Sequence, residues 1–276
     1  MFAALNRTLT ARRTPWPELA ALAARAGFAG VDPDIDAAMA AGVASTLEVF
    51  QAARVRPSAL PLPVDPCKDE EHFQAGLQAL PAAARFASAI GCPRMATRLL
   101  PSREIPKEQE RLRMKRRIAA CADILRGHGV WLGLENLGPL HLRRAMPFEF
   151  IYRTEEMLDF AVECGPNVGL LLDSWHWHHS GGTAAGIAAA AGRIVHVHLA
   201  DSADLPADEV RDMERLMPGE GVIDLDGFLR ALQAAGYDGA VSTEVFGRGL
   251  AKMTPDEGAR LGAETTLATM RKAGVA

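Results

Sequence analysis

At 276 residues, 49% hydrophobic and 23% charged, the chain is large enough to bury a self-sufficient core and has the composition of neither a disordered nor a fibrous protein. Thirty Lys and Arg against 34 Asp and Glu leave a net charge of −4, so no overall positive field favours a phosphate backbone and a nucleic-acid partner is not expected. No uninterrupted apolar run reaches the roughly 18 residues that span a bilayer, and the first residues have neither the apolar length nor the charge order of a signal peptide, so a cytoplasmic protein without a membrane partner is expected.

Short apolar or β-branched runs alternate with longer Ala- and Leu-rich stretches of helical spacing throughout. AALNRTLT leads into the helix WPELAALAARAGF, GVDPDID into a helix reaching Ala53, PSALPLPVD into a helix ending near Ile90, and PRMATRLL into EQERLRMKRRIAACADILRGHG. VWLGLEN, NVGLLLDSW, RIVHVHLADS and GAVSTEVF read as strands five to eight. Their helices are TEEMLDFAVECG, TAAGIAAAAG, DLDGFLRALQAAG and PDEGARLGAETTLATMRKAG. Gly27, Gly91, Gly129, Gly165, Gly192 and Gly236 fall where helices should stop, the position at which glycine is preferred.

Eight such units predict one closed (β/α)8 TIM barrel, a single domain over 1–276. A doubly wound open sheet is disfavoured because no G-x-G-x-x-G follows the first strand. Pro57, Pro61, Pro63 and Pro66 read as a stiff loop around strand three, and the Arg111 to Arg117 run as a solvated helix face. Cys67, Cys92, Cys121 and Cys164 have no C-x-x-C spacing and read as buried or inert thiols.

Alternate residues of a strand face one side, so the barrel interior can be read by counting back from each strand tip. Strand five then aligns Trp131, Gly133 and Glu135, strand six Leu171 and Asp173, strand seven His196 and His198, and strand eight Ala240, Ser242 and Glu244. Barrel sites lie at this carboxyl face, so Glu135, Asp173, His198 and Glu244 are expected to converge on one divalent ion. Three carboxylates and one imidazole suit Mn²⁺ first, with Mg²⁺, Co²⁺ or Zn²⁺ as alternatives. The plainer alternative, acids hydrogen-bonded at the barrel mouth, leaves several carboxylates repelling one another.

Further candidates surround that set. Asp32 and Asp34 end strand two and either bind substrate hydroxyls or cap the next helix. Trp175 and Trp177 either wall a sugar ring or pack. Arg248, between Gly247 and Gly249, is a candidate anion contact. His196 is read as packing beneath His198, and His178 and His179 as loop residues.

At GLEN, LLDSWHWHHSGGT, HVHLADS, PGEGVIDLDGFLRALQAAGYDG and STEVF the chain resembles the xylose-isomerase-like TIM-barrel superfamily. Within it the resemblance is to the sugar phosphate isomerase/epimerase branch, with the ketose 3-epimerases and inosose dehydratases, and it spans essentially the whole chain. It implies metal ligation by Glu135, Asp173, His198 and Glu244, substrate contact by His176, and an acid/base pair made of Glu135 and Glu244. Those relatives place an arginine six residues past the metal histidine, where this chain has Asp204.

The expected activity is a metal-dependent isomerase or epimerase acting on a sugar, keto-sugar or cyclitol. A proton next to a carbonyl would be removed through a metal-stabilised enediolate. Barrel strands five and eight stand about 135° apart around the ring, so Glu135 and Glu244 can reach different faces of one substrate. Dehydration through the same intermediate is the alternative. An apurinic-site endonuclease is disfavoured because no histidine follows His198, and a non-catalytic sugar-binding barrel because both glutamates are present. The expected partners are a small-molecule carbohydrate and further copies of the chain in a homo-oligomer.

Overall fold

The computed structural model describes residues 1–275. Its first half contains β1 (Phe2–Leu5), α1 (Glu18–Ala26), β2 (Gly30–Val31), α2 (Ile35–Ala41), α3 (Val43–Ala53), β3 (Arg56–Pro57), β4 (Leu60–Pro61), α4 (Glu70–Ala89), β5 (Arg94–Leu99), β6 (Ser102–Arg103) and α5 (Lys107–Arg126). The second half contains β7 (Trp131–Asn136), α6 (Leu140–Arg143), β8 (Phe148–Glu149), α7 (Thr154–Cys164), β9 (Val168–Asp173), α8 (Ser174–His179), α9 (Ala184–Ala189), β10 (Ile194–Leu199), α10 (Leu225–Ala234), β11 (Ala240–Thr243) and α11 (Pro255–Ala273).

Nine strands form one parallel sheet in the order β3-β2-β1-β11-β10-β9-β7-β5-β4. The two ends of that order, β3 and β4, are separated in the chain only by Ser58 and Ala59. Together they make the third barrel position and bring the sheet round on itself, as the eight-unit reading requires. The third position is split because Pro57 and Pro61 lack the N–H that a continuous ladder needs; Ser58 N–H still donates to Val31 O, and Leu62 N–H to Ala96 O.

Parallel barrel strands are covered on both faces, which is why β9 is buried along its whole length. Helices cover the outside with one apolar stripe each. In α10 the buried residues are Leu225, Phe228, Leu229 and Leu232, the spacing of a single helical face.

Two helical expectations need correction. The second helix is broken into α2 and α3 at Gly42, whose φ of 87° is open to glycine at little cost but not to a residue with a Cβ. The basic run of α5 is not uniformly solvated: Arg117 is 2% exposed and donates to the Pro66 and Lys68 carbonyls and to Glu70. The cysteines are free thiols, and burial pushes Cys92, Cys121 and Cys164 up to about 12, as inert residues should be. No helix among the described residues is long and apolar enough to cross a membrane.

Candidate metal centre

Each of the four predicted ligands comes from the carboxyl end of a neighbouring barrel strand. Glu135 stands at the end of β7, Asp173 is the last residue of β9, His198 lies in β10, and Glu244 immediately follows β11. The ladder fixes their relative heights, because His198 pairs in register with Asp173 on one side and with Ser242 on the other. One ligand atom from each of the four lies within 4.8 Å of those of the other three.

His198 Nδ1 is the centre of the group, 3.3 Å from Glu244 Oε2, 3.6 Å from Glu135 Oε1 and 3.8 Å from Asp173 Oδ2. Neither His198 Nδ1 nor Glu135 Oε1 has a hydrogen-bond partner, although both atoms are buried. A buried, unpaired polar atom costs roughly 1–3 kcal/mol, and a divalent cation among these atoms removes that cost at both. Asp173 is aimed for the task by its own helix: Oδ1 accepts the N–H groups of Trp175 and His176, the N-cap arrangement, which leaves Oδ2 facing the other ligands.

Burial pushes the His198 imidazole toward neutrality, but Glu244 and Glu135 outweigh it and hold its pKa well above the usual histidine value. Burial likewise opposes ionisation of Glu244 and Asp173. His198 and Arg215 overcome this at Glu244, and Arg215 above all at Asp173, so both carboxyls lie well below the usual range. A proton on His198 therefore stands in for a cation, and ligation would release it.

A second residue joins the site unannounced by the sequence. Arg215 is 1% exposed and lies seventeen residues beyond His198, in the long segment between β10 and α10. Its Nη1 donates to Asp173 Oδ2 at 2.8 Å and to Glu244 Oε2 at 3.3 Å, while Nε and Nη2 hold Asp212. Its Nη2 also lies 3.0 Å from His176 Nε2. Because arginine only donates, His176 accepts there and carries its proton on Nδ1. Arg215 stacks between Trp175 and Phe246, with its guanidinium carbon 4.9 and 4.8 Å from the two ring centroids. Asp204 does not line the cavity, whereas Arg215 does. No local pattern marks it: an arginine in an irregular loop reads as surface.

The ligands open onto a cavity of about 620 Å³. Asp32, His176, His196 and Arg215 line it with Glu135, His198 and Glu244, and Leu60, Leu62, Leu137 and Leu142 supply an apolar side. Asp32 accepts from Asn6, Ser58 and Ser242, and burial raises its carboxyl pKa against the pull of His198 and the hydroxyls. Asp32, His196 and His198 form a second cluster of ligand atoms, but those three hydrogen bonds already satisfy Asp32. His196 has no partner at either ring nitrogen, and burial and His198 hold it neutral, far below the usual histidine value.

Other candidates lie elsewhere. Asp34 caps α2 through Ala37 N–H and pairs with Arg7 at 2.9 Å, the capping alternative. Trp175 is buried beneath Arg215 and does not line the cavity, where Phe246 presents an aromatic surface instead. Trp177 packs against Phe228 at 5.2 Å between ring centroids. Arg248 is exposed, pairs with Glu220 at 2.9 Å and is absent from the cavity wall. His178 and His179 belong to α8 rather than to a loop, with His179 Nε2 3.0 Å from Ser202 Oγ.

Comparison with known proteins agrees with this architecture. Over 180 residues the chain is 32% identical to an inosose isomerase of Bacillus velezensis, the match covering 64% of this chain and 62% of that protein. The matched stretch therefore spans less than two thirds of that relative. A xylose isomerase domain protein from Alicyclobacillus acidocaldarius superposes with a TM-score of 0.89 at 31% identity over 99% of both chains. The IolI protein, solved with a bound zinc atom, superposes with a TM-score of 0.84 at 24% identity over 99% of both chains and shares the fold. The family profile described as xylose isomerase-like TIM barrel matches residues 20–272, and the chain belongs to that family.

Proposed function

We propose that this protein is a metal-dependent isomerase or epimerase that moves a proton next to the carbonyl of a sugar, keto-sugar or cyclitol, with Glu135 and Glu244 as the acid/base pair. The observation that carries the reading is the convergence of Glu135, Asp173, His198 and Glu244, with two buried ligand atoms left without hydrogen bonds. The inosose isomerase relative supports the substrate class. A divalent cation held by the four residues supplies charge stabilisation for the oxygen beside the departing proton; the oxygen-rich set favours manganese.

The chain's own groups do the rest. Glu135 and Glu244 reach the cavity from barrel positions five and eight, so one carboxylate takes a proton from one face while the other returns it on the opposite face, which inverts the carbon. His198 and Arg215 keep Glu244 ionised and therefore able to accept a proton. His176, fixed by Arg215 in the tautomer with its proton on Nδ1, lines the cavity and is the group placed to hold a substrate oxygen. The apolar side of the cavity keeps bulk water from the carbanionic carbon. The proposal includes a cytoplasmic location and a homo-oligomer.

The test is a deuterium-exchange screen in D₂O against ketoses, inososes and other hydroxy-ketones, with the metal content measured on the same sample. Solvent deuterium should enter a carbon next to the carbonyl, and Glu244→Gln should abolish that exchange in a folded protein. An absorbing enone product would instead reveal loss of a β-hydroxyl from the same intermediate. Absence of exchange across the screen, or full exchange by Glu244→Gln, overturns the assignment.

A further inference from the structure

Arg98 is the one arginine on the cavity wall that shares a strand register with a proposed catalytic acid. Its strand, β5, pairs with β7 so that Arg94, Ala96 and Arg98 stand beside Trp131, Gly133 and Glu135. Alternation puts these residues on the barrel interior, and Ala96, Arg98 and Glu135 all line the cavity. Arg98 is exposed at the carboxyl end of its strand, the end at which barrel enzymes place substrate.

Several other charged groups of the cavity are already engaged. Arg7 pairs with Asp34, Arg215 holds Asp173, Asp212 and Glu244, and Asp32 takes three hydrogen bonds. Arg98 has neither an ion-pair partner nor a hydrogen-bond acceptor for its guanidinium among the described residues; Glu135, beside it in register, makes no ion pair with it and instead faces His198 as one of the four expected metal ligands. Arg12, in the turn after β1, is the other lining arginine with a free guanidinium; its backbone is held at a φ of 57°, a conformation that costs a non-glycine residue roughly 1–2 kcal/mol. Leu62 and Leu100 line the same cavity and lower the local dielectric, which strengthens any charge pair formed there.

An ordinary surface arginine such as Arg116 sits on a helix facing water and pairs with Glu70. A free guanidinium fork on the inner row of a barrel strand, beside an acid/base glutamate, is instead suited to a ligand oxyanion, which it binds through two parallel hydrogen bonds. We propose that the substrate carries an anionic group, a carboxylate or a phosphate ester, and that Arg98 binds it. The inference builds on the proton-transfer reading above and narrows its substrate class from neutral polyols to acidic hydroxy-ketones.

Two measurements test it. Calorimetric titration of the metal-loaded protein with hydroxymalonate and, separately, with inorganic phosphate should show binding about 10- to 100-fold weaker in Arg98→Gln than in wild type, the usual range for a hydrogen bond to a charged group, with Arg98→Lys between them. A loss confined to hydroxymalonate identifies a carboxylate, and one confined to phosphate identifies a phosphate ester. Equal affinity of wild type and Arg98→Gln for both overturns the proposal. In parallel, Arg98→Gln should lower the ratio of kcat/KM for an anionic hydroxy-keto acid to that for a neutral inosose by a similar factor, whereas an equal loss on both substrates also overturns it. If wild type exchanges protons with neither substrate, the proton-transfer reading fails, and the calorimetric comparison still decides the role of Arg98.

Discussion

Arg215 Nη1 lies 2.8 Å from Asp173 Oδ2, both side chains almost fully enclosed, and the same nitrogen reaches Glu244 Oε2 at 3.3 Å. One guanidinium thus neutralises two of the acids expected to ligate a cation and joins them to His176. Removing it leaves Asp173 buried without its strongest partner. In EDTA, Arg215→Met should lose about 3–5 kcal/mol of stability in denaturant unfolding, the range for breaking a buried ion pair. Added Mn²⁺ should restore much of that loss, because the ion supplies the missing charge. Equal losses with and without metal would show that Arg215 serves packing alone.

Metal removal should also be visible in the wild type. A ligand that binds only the folded state stabilises it by about 2.7 kcal/mol at one hundred times its dissociation constant. The midpoint of unfolding should therefore rise with Mn²⁺ in wild type and stay flat in His198→Asn and Asp173→Asn. A rise of equal size in those variants would place the ion elsewhere.

Gly138 sets the position of α8. A Cβ at Gly138 would collide with the His176 carbonyl and lie 2.8 Å from Ser180 N, so Gly138→Ala must push the helix that carries His176 away from the cavity. A misplacement of this kind costs up to about 100-fold in rate. The variant should keep its metal, since no ligand lies on the moved helix beyond its Asp173 cap, and should lose turnover on whichever substrate the exchange screen identifies. Unchanged turnover would show that α8 does not need its present position.

The stability of the fold should decline in mild acid, and His179 contributes to that decline. Burial and then the neighbouring His178 lower its pKa from 6.5 to about 4. The unfolded chain protonates this residue near 6.5 while the folded chain does not, so its contribution is complete above pH 6.5 and is lost as the pH falls from 6.5 toward 4. His179→Gln, which keeps a polar group near Ser202, should flatten the slope of stability against pH in that window. An unchanged slope would assign the acid sensitivity to other groups.

The later strands were legible for a physical reason. β9, β10 and β11 are short apolar runs enclosed on both faces, and their alternation points unambiguously to Asp173, His198 and the acid that follows Thr243. The third barrel position was legible only in outline, because Pro57 and Pro61 leave two-residue pieces where one strand was expected. Gly42 was hidden inside a helical pattern, since a single glycine is tolerated in many helices. Trp175 stays ambiguous in the sequence because an aromatic beside an active-site aspartate reads equally as wall or as core, and only the position of Arg215 decides. Arg215 itself depends on the path of a long irregular segment that brings it back over Asp173, a tertiary event without a local signature.

The central claim, that four strand-end side chains share one ion, is tested most directly by anomalous diffraction from crystals grown with Mn²⁺. The account predicts one strong peak within about 2.0–2.3 Å of an atom from each of Glu135, Asp173, His198 and Glu244. No peak among those residues, or an ion held by a different set, would contradict it.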